Sequence, residues 1–97
     1  MSFKIERGAA MLTINQAQVK EMLSMTSCIK VMVEALSDLA MGEAMLVLRS
    51  VVPINEINIL GQMPGYLKKS GVFGTKIITV FPDNSQHGLP SHQGVVL

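Results

Sequence analysis

Two cations stand inside apolar stretches of this 97-residue chain, and both are residue types that chemistry uses. Arg49 lies between Leu46–Leu48 and Val51–Val52. Its planar guanidinium fork matches a carboxylate through two parallel hydrogen bonds, which suits it to anchor an amino or imino acid. An internal ion pair or a solvated edge position would also account for it. Lys76 is flanked by Ile77, Ile78, Val80 and Phe81. An ammonium desolvated without compensation is strongly unfavourable, so Lys76 must face a pocket, a partner charge or water. A strand lysine that snorkels its head into solvent meets the same need.

A short polar pair, Ser91 and His92, follows the Gly88-Leu89-Pro90 turn, where it can cap the turn or contribute to a site. His87, in a Ser-Gln-His-Gly loop, reads as simply exposed. Cys28 is the single cysteine, which excludes an internal disulfide and fits the reducing cytoplasm. Near the start of a helical pattern, it reads as a buried, inert thiol. No Cys/His spacing suits a metal, no Ser-His-Asp set has an activating arrangement, and no GxGxxG loop joins a strand to a helix.

The elements that must position these groups follow from periodicity. Residues 1–10 form a polar lead-in, and Met11-Leu12-Thr13-Ile14 reads as a short strand. Asn15 with Gln18 three residues on has the reciprocal capping-box spacing, and Val19, Met22 and Leu23 give the helix that follows an apolar stripe. A second helix is predicted from Thr26 or Ser27 to about Met41, with Ile29, Met32, Val33, Leu36, Leu39 and Ala40 on its buried face and Gly42 as its C-terminal glycine. From Met45 to Ile54 the run is apolar except at Arg49 and Ser50, which suits a strand buried on both faces or in an interface. Asn55–Asn58 and Lys68–Gly71 are turns around a strand over Ile59–Leu67, and a third strand spans Gly71–Phe81. Pro64 should place its own segment at an edge or bulge, because proline cannot donate to a ladder. The eight methionines fall mostly on the helical apolar faces and read as flexible core filling.

Length allows one domain at most, over residues 1–97, and the pattern is α/β in the α+β sense: two N-terminal helices packed on a mixed, mainly antiparallel sheet. An apolar fraction of 48% supports a core, whereas 15% charged residues is low for a small monomer's surface. Some apolar surface must therefore be covered by something else. A net charge of +1 with scattered Lys and Arg offers no footprint for nucleic acid, and no apolar run approaches the ~20 residues that cross a bilayer. The apolar run Gly94-Val95-Val96-Leu97 ends without a turn or cap, as expected of a fragment or a truncated product.

Four tracts in order resemble the ornithine cyclodeaminase/mu-crystallin family of NAD(P)-dependent enzymes. They are Leu48-Arg49-Ser50, Met63-Pro64-Gly65-Tyr66-Leu67, Thr75-Lys76 through Val80-Phe81-Pro82-Asp83-Asn84, and Gly88-Leu89-Pro90-Ser91-His92-Gln93-Gly94-Val95-Val96-Leu97. The resemblance covers about residues 11–97, as the N-terminal part of a family member. It implies that Arg49 binds the substrate carboxylate and that Lys76 contacts the substrate near its reacting carbon and nitrogen. Burial and a neighbouring cation such as Arg49 would lower the pKa of that lysine toward the working range. Ser91, with His92 beside it, would meet the dinucleotide, NAD or NADP. The family's Rossmann domain, with its catalytic aspartate and most cofactor contacts, comes after this region and is not within the 97 residues.

The resemblance also implies a homodimer formed through the sheet and a small amino or imino acid as ligand. The tract Leu89-Pro90-Ser91-His92-Gln93-Gly94 is more similar to the ketimine-reductase, mu-crystallin and alanine-dehydrogenase branch than to the authentic cyclodeaminases. Reduction of a cyclic ketimine such as pyrroline-2-carboxylate is the reading this favours, with ornithine cyclisation or alanine dehydrogenation as the alternatives. From a different class, the chain reads as a non-catalytic oligomerisation module, because its apolar strands and low charge need a covered face.

Overall fold

The structure, a computed structural model, describes Lys4–Ile5 and residues 9–97, with side chains from Met11 onward. The chain forms two compact units, residues 1–32 and 33–97, and its class is α+β.

In the first unit β1 (Lys4–Ile5) pairs antiparallel with β2 (Ala9–Ala10). The strand predicted over Met11–Ile14 does not form: the ladder ends at Ala10, and a β-prone tetrapeptide without a partner strand has nothing to pair with. Residues 11–14 instead lead into α1 (Gln16–Met22). Its capping box is closed in both directions: the Gln18 N–H donates to Asn15 Oδ1 and the Asn15 N–H to Gln18 Oε1, each at 2.9 Å. The second helix, α2 (Met25–Ala40), begins a residue or two earlier than predicted, because Ser24 caps it. The Ser27 N–H donates to Ser24 Oγ at 3.1 Å and the Cys28 N–H to the Ser24 carbonyl at 2.9 Å.

The apolar stripes of both helices are exposed, contrary to the buried faces predicted, and Leu39, at 37%, is the most covered large side chain of the α2 stripe. Cys28 is half-buried rather than buried. Among the described residues no hydrophobic side chain is fully buried; the one buried residue is Gly61. A chain this short has too little of itself to cover both helical and sheet surfaces.

In the second unit α2 ends in a Schellman motif. Gly42 takes the left-handed conformation at φ 78°, the Glu43 N–H reaches back to the Asp38 carbonyl at 2.7 Å, and the Gly42 N–H to that of Leu39 at 3.3 Å. An open antiparallel sheet follows, built from β3 (Ala44–Leu46), β4 (Ser50–Pro53), β5 (Ile59–Leu67), β6 (Val72–Val80) and β7 (His92–Val96). β3 and β4 share one side of β5, β6 lies on its other side, and β7 borders β6. The helix end is tied to the β5–β6 turn by the Lys69 Nζ–Asp38 Oδ1 ion pair at 3.1 Å and by the Lys68 N–H to the Glu43 carbonyl at 2.9 Å.

The apolar run over residues 45–54 is therefore not a doubly buried strand but an interrupted edge. Leu46 pairs with Gly65 and Ser50 with Gln62, so three residues, 47–49, stand opposite two, 63 and 64. One extra residue makes a bulge and shifts the register by one. Pro64 explains where the break falls. The Thr75 N–H and carbonyl both bond Leu97, each at 2.9 Å, so the pair formed by Thr75 and Pro64 exchanges no hydrogen bonds and the Pro64 nitrogen points toward the edge. Proline has no N–H to offer there, and the neighbouring strand lets go at that point. β5 itself is central, which corrects the expectation that the proline segment would lie at an edge: the bulge sits in its neighbour.

Candidate functional site

Antiparallel partners face the same way, so the registers sort the side chains by face. Lys76 pairs with Met63 across β5 and with Val96 across β7. β4 begins at Ser50, which pairs with Gln62, and Arg49 is the residue before it, in the bulge. Arg49 and Lys76 thus stand on opposite sides of β5 at adjacent registers, and Met63, Lys76 and Val96 form one row across the sheet. Summing the two strand-to-strand separations puts the β4 and β6 backbones about 10 Å apart. Two extended cationic side chains at that spacing can close on one small anion.

Both side chains are exposed, so neither bears a desolvation penalty here. Water solves the problem that the apolar neighbours of Lys76 pose. No Asp or Glu occurs on any strand of the sheet, and among the described residues the one ion pair is Lys69–Asp38, at the turn. Among the described residues neither Arg49 nor Lys76 forms an ion pair, an arrangement open to a carboxylate.

Around the row the relief is low. Gly61 and Gly65 flank Met63 on its own strand and face, Gly74 precedes Lys76 by two, and Gly94 pairs with Ile78. A Cβ on Gly94 would lie 2.5 Å from the Ile77 carbonyl oxygen and 3.2 Å from the Ile78 Cα, so the approach of β7 to β6 requires a glycine there.

The Pro-Asp-Asn tract forms a 3₁₀ segment, Pro82–His87, which turns the chain back from β6 to β7. Asn84 clamps it: its Nδ2 donates to the Pro90 carbonyl at 3.1 Å, and its own carbonyl accepts from the Leu89 N–H at 3.0 Å. The Phe81 N–H donates to the Ser91 carbonyl at 2.8 Å, which sets the start of β7. Ser91 is half-buried and His92 exposed, and Ser91 Oγ lies 2.9 Å from His92 Nδ1. That contact occupies Nδ1 and leaves Nε2 available.

His92 pairs with Val80 and so shares the Lys76 face, but it stands four residues from Val96, roughly 13 Å along the strand from the row. Arg49 and Lys76 flank β5, whereas Ser91–His92 stands apart from them, with His92 at the far end of the Lys76 face. The pair could meet one edge of a dinucleotide. Nothing beside it resembles a phosphate cradle, since the adjoining 3₁₀ segment spans only six residues. Sequence reasoning missed Asn84 as the clamp, although the Pro-Asp-Asn tract was the signal.

Shallow apolar hollows of about 170 and 350 Å³ lie around Pro64, lined by Met45, Val47, Tyr66, Phe73 and Leu97 among others, and hold no charged side chain. By register Met45, Pro64, Tyr66 and Phe73 belong to the face opposite Lys76. Among the described residues no group of three or more His, Cys, Asp or Glu could hold a metal ion, and no helix is long and apolar enough to cross a membrane.

The profile of the ornithine cyclodeaminase/mu-crystallin family matches residues 9–97. No curated protein matches the sequence. Among solved structures, the chain is similar to the Thermococcus litoralis Δ1-pyrroline-2-carboxylate reductase in complex with NADH and L-proline, at 26% identity and a TM-score of 0.79 over 84% of this chain. It is also similar to an archaeal alanine dehydrogenase dimer with bound NAD, at 27% identity and a TM-score of 0.77 over 84% of this chain. It spans about a quarter of the length of these relatives, 26% and 25% respectively.

Proposed function

The chain belongs to the ornithine cyclodeaminase/mu-crystallin family, and on that premise we propose that it carries the substrate half of an NAD(P)H-dependent enzyme reducing a cyclic imino acid such as pyrroline-2-carboxylate. The observation that carries this reading is that Arg49 and Lys76 flank β5 at adjacent registers of a sheet whose strands carry no Asp or Glu. Arg49 holds the substrate carboxylate through its two-pronged fork. Lys76, a cross-strand step beyond Met63, attends the ring nitrogen, where its ammonium polarises or protonates the imine. When bound, a reduced nicotinamide supplies the hydride that the α-carbon takes up, and it is used as NADH or NADPH. Ser91 and His92 meet one edge of that dinucleotide, and a dinucleotide-binding domain outside these 97 residues supplies the phosphate cradle.

Two relatives support the reading by what they hold, a reductase with NADH and L-proline and an alanine dehydrogenase with NAD. L-proline is what remains when the imine of pyrroline-2-carboxylate is reduced. Ornithine cyclisation and alanine dehydrogenation would use the same anchor, and the Leu89–Gly94 tract favours the imine-reducing branch. A cytoplasmic setting fits the unpaired Cys28. In the full-length protein, Lys76→Ala should abolish turnover of pyrroline-2-carboxylate with NADPH or NADH. Near-normal turnover would overturn the assignment.

A second reading, a non-catalytic oligomerisation module acting as a homodimer, is favoured by the large exposed side chains on both sheet faces, Leu46 and Val96 on one and Phe73 and Val95 on the other. Light scattering on the purified chain, which reads its oligomeric mass, tests it.

A further inference from the structure

We infer that Met25, Cys28 and Met32 form a three-sulfur site on α2 for a soft monovalent cation, Cu(I) or its analogue Ag(I). The inference is independent of the reading of the sheet. α2 runs unbroken over Met25–Ala40, and Cys28 stands three residues after Met25 and four before Met32. At about 3.6 residues per turn these positions fall within an arc of about 60° on one face of the helix. Residues at those two spacings hold their Cβ atoms about 5–6 Å apart. Side chains on a helix lean over the turn before them, so Met32 reaches toward Cys28 and Cys28 toward Met25. The unbranched thioether arms are flexible enough to close the remaining distance.

The three residues are open to solvent: Met25 is 73% and Met32 48% exposed, and Cys28 is half-buried. No harder donor competes on this face. The Ser27 hydroxyl is bonded to that of Ser24 at 3.0 Å, and Ser24 Oγ also accepts from the Ser27 N–H. Lys30, Glu34 and Asp38, the charged residues of α2, fall on the other side of the helix, more than about 100° from the sulfur face. Its neighbours on that face, Ile29 and Leu36, are apolar.

Thiolate and thioether donors select a soft cation, whereas calcium and magnesium take oxygens and structural zinc takes four thiolate or imidazole ligands. On uptake the Cys28 S–H bond gives its proton to solvent and an S–metal bond forms, with no change of oxidation state. The thiolate cancels the charge of a monovalent ion. A neutral complex is tolerated in the apolar stripe of α2, where a divalent ion would keep a net charge and be disfavoured.

The test is a titration of the purified, reduced chain carrying ¹³C-methyl methionine with Ag(I), which is diamagnetic and redox-stable. The Met25 and Met32 methyls are assigned by their disappearance in Met25→Leu and Met32→Leu, replacements that keep volume and helix preference. Both methyls should shift together and saturate at one equivalent, while those of the comparably exposed Met22, Met41 and Met45 stay in place. Cys28→Ser should weaken Cu(I) binding, read by competition with bicinchoninate, by at least about tenfold, since even the loss of an outer partner of a metal ligand has that effect. Shifts spread over all the exposed methionines, no shift at one equivalent, or unchanged Cu(I) affinity in C28S or in the paired Met25→Leu and Met32→Leu variant would each overturn the inference. The parent titration decides the matter even where a variant folds poorly, because an endpoint confined to two of the eight methionine methyls is read on the parent alone.

Discussion

Arg49 and Lys76 flank β5 at adjacent registers: Arg49 precedes Ser50, which pairs with Gln62, and Lys76 pairs with Met63. The β4 and β6 backbones stand about 10 Å apart, near enough for one small carboxylate ligand to bridge two extended cationic side chains. Arg49 presents a fork and Lys76 a point charge, so the two are not interchangeable. Arg49→Lys in the full-length protein should raise KM for the imino acid by about tenfold, the loss of one of two parallel hydrogen bonds, with a smaller change in kcat. Steady-state kinetics at saturating cofactor measures both. An unchanged KM would place the carboxylate elsewhere.

Two glycines separate backbone geometry from packing. At Gly94 an added Cβ meets the Ile77 carbonyl oxygen at 2.5 Å, and the backbone at φ outside the left-handed region is not itself strained. At Gly42 nothing lies within 4 Å, but φ is 78°. Gly94→Ala should therefore destabilise by roughly 1–3 kcal/mol through displacement of β7 from β6. Gly42→Ala should lose about 1 kcal/mol through backbone strain alone. Denaturant melts followed by circular dichroism compare them. A Gly94→Ala protein as stable as the parent would mean that β7 is not held in this register.

Local devices were legible in the sequence and long-range ones were not. Asn15 with Gln18, and Gly42 after the α2 pattern, each act within a few residues, and the structure closes both as their spacing predicts. The strand over residues 59–67 was legible for the same reason, being bounded by the Asn55 turn, whose side chain accepts from the Asn58 N–H at 2.8 Å. The interrupted edge was not legible. An apolar run reads alike whether it is buried or exposed at an edge, and the break depends on where Pro64 falls opposite it, which only the register fixes. The cations themselves were visible from residue type, but that they flank one strand, β5, follows only from the pairing of β4 and β6 with it.

The ion pair that ties the α2 end to the β5–β6 turn gives a pH signature. Asp38, through its hydrogen bond first and its charge second, raises the pKa of Lys69 above its ordinary 10.5, and Glu43 adds to the effect. A lysine whose folded-state pKa is raised contributes stability that is fully present below the unfolded value and is lost as pH rises through the folded one. The parent should therefore lose stability relative to Lys69→Met above pH 10.5, and the gap between them should narrow in high salt, because the lysine is exposed. Thermal melts of both proteins between pH 8 and pH 11 test this. Parallel curves across that range would show that the pair contributes nothing.

The exposed apolar surface sets the last expectation. Among the described residues no hydrophobic side chain is fully buried, while Leu48 is 94% and Phe73 79% exposed. Apolar exposure of this extent is unusual for a chain in water and points to another surface that covers it. In a cyclic two-fold pair the same patch covers itself. Light scattering on the purified chain should give a dimer mass, unchanged by NADH or NADPH, because Ser91 and His92 meet at most one edge of the cofactor. A dimer whose mass or stability responded to either nucleotide would mean that these 97 residues hold more of the cofactor site than that pair. A monomer would rule out the homodimer reading. A heterogeneous aggregate would mean that the faces pair without closing, and that covering them falls to polypeptide outside this chain.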